Sequence, residues 1–154
     1  MTMSANRAVV DTNVLVYAHL TDSPHHLTSV ALLDRAKRPD ADLCIFPQMV
    51  AEFYATMTNP KRVTSPMSAA IALNALDKLL ALPGITVLPI PVDIVARVMV
   101  LLRAAPVTGR LVFDYQIAAA LLQAGISTLY TYNIKDFSHI PDISPVEPPA
   151  LATA

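Results

Sequence analysis

At 154 residues the chain has the length of one domain, enough to bury roughly two-thirds of the surface its unfolded form exposes. Hydrophobic residues make up 54% and charged residues 15%, with a mean hydropathy of +0.48, so a well-filled core is expected together with some apolar surface for a partner. The net charge of −1 gives no global basic field for nucleic acid, the single cysteine excludes an intrachain disulfide or a cysteine-based zinc site, and three isolated glycines exclude a Walker phosphate loop and a dinucleotide fingerprint.

In chain order, residues 7 to 10 read as a first strand, a continuous apolar run of the kind a buried parallel strand shows. The run ends in Asp11-Thr12-Asn13. A carboxylate there sits at the carboxyl edge of the sheet, where open α/β folds keep their sites. The competing reading makes Asp11 the N-cap of the short helix expected from about Asn13 to His19. Ser23-Pro24 signals the start of a helix reaching about Arg38, and Leu43 to Phe46 is a second buried strand. Pro47 opens a helix to Met57. Ser65-Pro66 opens another over residues 66 to 82, with Ala70, Leu73, Leu76 and Leu80 on one face. Ile85 to Leu88 is a third strand, and Asp93 can cap the helix that follows. A helix from about Phe113 to Ala124 closes at Gly125, in C′ position. Ser127 to Thr131 is a fourth strand, Ile143 to Val146 a weak fifth, and residues 145–154 a Pro-rich tail behind a single domain of residues 1–144. Short strands alternating with helices imply an α/β fold, a central parallel sheet of four to five strands with helices on both faces.

No charged-then-apolar leader opens the chain and no apolar run reaches the length of a membrane span, which makes the cytoplasm the expected compartment and excludes a membrane partner. Any nucleic-acid contact has to be local, through clusters such as Arg35-Lys37-Arg38 or Lys61-Arg62.

Most acidic residues fall in caps, turns or polar helix faces, but Asp11, Glu52, Asp114 and Asp136 do not. Glu52 stands among apolar neighbours in Met49-Val50-Ala51-Glu52-Phe53-Tyr54, where an unpaired carboxylate costs several kcal/mol, roughly, and needs a partner. A structural pair with Lys61 or Arg62 is one way to supply it. Asp114 shares a helix face with Ile117, Ala118 and Leu121, and its first-turn position favours the ionised form. Asp136 follows the fourth strand, where it can also simply fix a turn. Carboxylates aimed at one place raise each other's pKa, and a divalent cation removes that cost. An oxygen-only donor set with no His or Cys cluster points to Mg²⁺ or Mn²⁺. The histidines lie in a polar helix start, a helix end and a late loop, and no Ser-His-Asp pattern can be assembled.

Four segments carry a resemblance: Val9-Val10-Asp11-Thr12-Asn13-Val14-Leu15, Val50-Ala51-Glu52-Phe53, Phe113-Asp114-Tyr115-Gln116-Ile117-Ala118-Ala119 and Thr131-Tyr132-Asn133-Ile134-Lys135-Asp136-Phe137. In this order they resemble PIN-domain ribonucleases of the VapC toxin type, over about residues 7 to 137. The resemblance implies a three-layer α/β/α sandwich and Mg²⁺-dependent cleavage of RNA. It also implies a cognate antitoxin protein and frequent homodimers. By motif match, Asp11, Glu52 and Asp114 become the acidic metal-site residues. The fourth acidic position of the family often falls where this chain has Asn133, with Asp136 three residues on, which leaves Asn133, Asp136 or neither to complete the site. The implied chemistry is metal-assisted phosphodiester hydrolysis, with Asp11 and Asp114 as direct ligands and Glu52 direct or through water. Thr12 or Asn13 can hydrogen-bond a phosphate or a ligand carboxylate. Two other readings compete. One is an aspartyl-nucleophile phosphatase or dehalogenase, which wants a second acid at the position of Asn13. The other is a PIN-like scaffold that binds RNA or protein without cutting.

Overall fold

The computed structural model describes residues 7–151. Five short strands run through it: Ala8–Val10 (β1), Leu43–Ile45 (β2), Ile85–Val87 (β3), Thr128–Tyr130 (β4) and Ser144–Val146 (β5). Between them lie the helices Thr12–Tyr17 (α1), His26–Arg35 (α2), Pro47–Met57 (α3), Ala69–Leu80 (α4), Ile94–Ala104 (α5), Val112–Gln123 (α6) and Ile134–Phe137 (α7).

The strands form one sheet in the order β3-β2-β1-β4-β5, every pair parallel. The most apolar run, Ala8-Val9-Val10, takes the centre and is buried throughout. The chain moves from β1 outward through β2 to β3, then crosses back to place β4 on the other side of β1. With right-handed crossovers, this reversal puts α1–α4 on one face of the sheet and α5–α7 on the other. The packing agrees: α1 lies on α2 and α3, α3 on α4, and α5 on α6. The result is the expected three-layer α/β/α sandwich. Leu15, Phe53 and Met57 pack into the core from one layer, and Tyr115, Leu121 and Phe137 from the other.

Several boundaries differ from the sequence reading, each for a local reason. Ser23 does not cap α2; its hydroxyl accepts from the His25 N–H at 3.1 Å in a tight turn, and the helix begins at His26. Ser68, not Ser65, caps α4, accepting from the Ile71 N–H at 3.2 Å, because the Met67 N–H is tied to the Met57 carbonyl at 2.7 Å. Asp93 stands at the N-cap of α5 but gives its carboxylate to Arg97 at 2.9 Å. Gly125 terminates α6 as expected. Its φ of 71° lets the Ile126 N–H reach the Leu121 carbonyl and its own N–H the Leu122 carbonyl, both at 3.1 Å.

The boundary expected at 144/145 falls inside β5. Ser144 and Val146 bond to the β4 side, and Pro145 is tolerated because β5 is an edge strand, where a missing N–H breaks no second ladder. The last three residues of the expected tail lie outside the described residues. No helix among the described residues is long and apolar enough to cross a membrane. The apolar surplus of the composition surfaces at Ile71 and Leu73 on α4 and at Val95 and Val100 on α5, all more than half exposed.

Candidate active site

The order of the sheet reverses between β1 and β4, and in open α/β sheets the crevice at that reversal is where ligands bind. Asp11 lies there, one residue past β1. Its N–H donates to the Tyr130 carbonyl at 2.9 Å, which sets it beside Thr131 at the end of β4. A cleft of about 870 Å³ opens over this edge, and Asp11, Glu52, Asp114 and Asp136 all line it. They come from the end of β1, the middle of α3, the first turn of α6 and α7.

Asp11 is 6% exposed, and its carboxylate is well held. One oxygen accepts from the Thr12 N–H at 2.7 Å, so Asp11 does cap α1, as the competing reading expected, while also lining the cleft. The other oxygen accepts from the Thr131 hydroxyl at 2.8 Å and, more loosely, from the Asn13 amide at 3.4 Å. Burial pushes the carboxyl up to about 6. The Thr131 and Thr12 hydrogen bonds pull against that rise, and the charges of Glu52 and Asp136 add to it. The carboxyl of half-buried Asp114 is also pushed up to about 6, first by burial and then by the charges of Asp136, Asp11 and Glu52.

Glu52 makes no ion pair with Lys61 or Arg62. One of its oxygens accepts from the Thr12 hydroxyl at 2.8 Å and the other from the Gln48 amide at 2.7 Å. Thr12 and Asn13 therefore orient site carboxylates. The Asn13 amide also donates to the Thr131 hydroxyl at 3.1 Å, and its carbonyl accepts from the Tyr132 N–H at 3.2 Å. Asn133 and Asp136 both line the cleft, and the Asn133 N–H donates to the Thr131 hydroxyl at 3.0 Å.

Two neighbouring clusters hold the supporting backbone. The Tyr132 hydroxyl meets the hydroxyls of Thr28 at 2.7 Å and Ser29 at 2.8 Å, and its ring stacks on His25 with centroids 4.0 Å apart. This anchors the segment carrying Thr131 and Asn133. The hydroxyl of fully buried Tyr115 donates to the Ala105 carbonyl and ties the first turn of α6, and so Asp114, to the end of α5.

Sequence reasoning missed the roles of Thr131 and Gln48. Gln48 stands four residues before Glu52, a helical neighbour that could have been found. Thr131 meets Asp11 only because β4 is the neighbour of β1, which no local pattern announces. Of the two basic clusters, Lys37 and Arg38 pair with Asp34 and Asp40 on the surface, whereas Arg62 lines the cleft.

The donor set in the cleft is entirely oxygen, which suits a hard divalent cation. Among the described residues no three acidic, histidine or cysteine side chains stand close enough together to hold an ion on their own.

A parallel α/β/α sandwich with carboxylates collected at its switch point defines the class. Residues 8–143 match the family described as PIN domain, and the chain belongs to that family. It is 40% identical over 75 residues to ribonuclease VapC43 of Mycobacterium tuberculosis, a match covering 49% of this chain and 51% of that relative, so it spans about half the relative's length. Ribonuclease VapC24 of the same organism is 29% identical over 130 residues, covering 84% of this chain and 88% of the relative. Among solved structures, VapBC2 from Rickettsia felis bound to a DNA fragment from their promoter superposes with a TM-score of 0.64 at 19% identity, covering 91% of this chain and 97% of that one. That likeness supports the fold.

Proposed function

We propose that this chain is a Mg²⁺- or Mn²⁺-dependent endoribonuclease, the toxin of a toxin–antitoxin pair acting in the cytoplasm. The observation that carries the reading is the gathering of Asp11, Glu52, Asp114 and Asp136 around one cleft, with Asp11 and Asp114 pushed up to about 6. Near neutral pH both are largely ionised, so the cleft presents concentrated negative charge that a cation would neutralise.

Asp11 and Asp114 would hold the cation directly and Glu52 directly or through water, with Asn133 or Asp136 completing the site. Bound there, a divalent cation supplies Lewis-acid stabilisation of the phosphate and a more acidic water for in-line attack. The remaining work belongs to the chain. Thr131 and the Thr12 N–H fix the Asp11 carboxylate, and Thr12 and Gln48 fix Glu52. A further partner, a cognate antitoxin, is proposed by likeness to VapBC2 and to the VapC ribonucleases. The exposed apolar residues of α4 and α5 are proposed as surface for that antitoxin or for a second copy of the chain.

The test is incubation of the purified, antitoxin-free chain with RNA in Mg²⁺ or Mn²⁺. Cleavage that stops in EDTA supports the reading. Turnover of a small phosphomonoester through an adduct on Asp11 would favour a phosphatase. Tight RNA or protein binding without cleavage would favour a scaffold.

A further inference from the structure

We infer that Arg62, Arg110 and Phe113 form the RNA-binding rim of the cleft, the two arginines taking backbone phosphates and the phenyl ring stacking on one unpaired base. The inference rests on the ribonuclease reading and adds the groups that would hold the strand.

Arg62 stands in the turn after α3. That turn is fixed by the Lys61 N–H donating to the Asn59 side chain at 2.9 Å and by Val63, which is buried at 6% exposure. Arg110 lies in the single helical turn Gly109–Leu111 that leads into α6. Gly109 adopts a φ of 62°, and a Cβ there would meet nothing within 4 Å, so the glycine serves the backbone path that presents Arg110. Both arginines are exposed and line the cleft.

Among the described residues neither makes an ion pair, although the cleft holds four carboxylates. Arg7, Lys37, Arg38 and Arg97 are each paired with an aspartate, and of the lysines and arginines without such a pair Arg62 and Arg110 are the two that line the cleft. Two exposed guanidinium groups lining an acidic cleft without pairing to its acids suit an anion that enters from outside. A phosphodiester matches their planar fork of donors.

Phe113 adds the second element. It is 48% exposed, it lines the cleft, and it immediately precedes Asp114. A lone exposed aromatic needs no explanation. One that stands in the chain between Arg110 and Asp114 and lines the same cleft is placed to take the base next to a held phosphate. Aromatic faces stack any base, so this rim would favour single-stranded segments without reading much sequence.

The test measures binding of a short unstructured oligoribonucleotide to the full chain in EDTA, and to Asp114→Asn in Mg²⁺ as a second background, across a series of salt concentrations. Arg62→Gln and Arg110→Gln should each reduce the slope of log affinity against log salt by about 0.7, and together by about 1.4. Lys61→Gln, one residue away and not lining the cleft, should leave the slope unchanged. Phe113→Leu should weaken binding about tenfold and Phe113→Tyr should retain it, while an abasic strand should be indifferent to both. Altered slopes and base-dependent losses support the rim. If they occur in a chain that never cleaves RNA, they support the rim and count against the ribonuclease reading. Intact cleavage with unaltered slopes and affinities overturns the rim and leaves that reading standing. Affinity that none of the variants changes overturns it also.

Discussion

The raised carboxyl of Asp11 makes a quantitative demand on stability. The group lies at about 6 in the folded chain against 3.8 ordinarily, so keeping it ionised costs the metal-free fold about 3 kcal/mol well above pH 6. The sign follows from proton binding. Between about pH 4 and about pH 6 the folded chain holds more of this proton than the unfolded chain. Stability therefore falls as pH rises through that window and levels off above it. About 1.4 kcal/mol of the fall lies between pH 5 and pH 8.

Asp114 contributes with the same sign, reduced by solvent screening because it is half-exposed. Urea unfolding of the natural chain and of Asp11→Asn, both in EDTA, isolates the Asp11 contribution. Between pH 5 and pH 8 the natural chain should lose about 1.4 kcal/mol more than the variant. Adding Mg²⁺ at a hundred times its dissociation constant should return about 2.7 kcal/mol to the natural chain at the higher pH. Parallel pH profiles for the two proteins would refute the reasoning.

Three further outcomes are expected. Thr131→Val removes the hydroxyl donor to Asp11, so the carboxyl rises further. In EDTA the pH window over which stability falls should move to higher pH, with a stability loss of about 1.5–3 kcal/mol by urea unfolding. Thr12→Val leaves Glu52 held only by Gln48; cleavage should slow while thermal unfolding shows a loss of about 1 kcal/mol. Gly84→Ala would place a Cβ 2.4 Å from the Arg38 carbonyl oxygen and 2.8 Å from the Ala36 Cα. Unfolding should become easier by about 1–3 kcal/mol, with kcat of the folded fraction unchanged.

The fold was legible wherever a burial pattern is local. Ala8-Val9-Val10 and Leu43-Cys44-Ile45 are buried throughout and read as buried strands from their runs alone. Gly125 announced the end of α6 because only that kind of residue adopts its left-handed backbone cheaply. Helix starts were less legible. Ser-Pro signals at Ser23 and Ser65 compete with nearby turns that engage the same backbone groups. β5 was blurred by Pro145, which only an edge position accommodates. The four carboxylates could be singled out because each stood where a surface role was awkward. Thr131 meets Asp11 only through the strand order, and Arg110 reaches the cleft only through the path of the turn before α6. Neither leaves a periodic trace in the sequence.

The most direct measurement of the proposed role is RNA cleavage in Mg²⁺ by the Asp11→Asn, Asp114→Asn double variant beside the natural chain, with folding of both checked by urea unfolding. The natural chain should cut and stop in EDTA, and the folded double variant should be inactive at every Mg²⁺ concentration. Undiminished, EDTA-sensitive cleavage by the double variant would contradict the assignment of the site to these carboxylates.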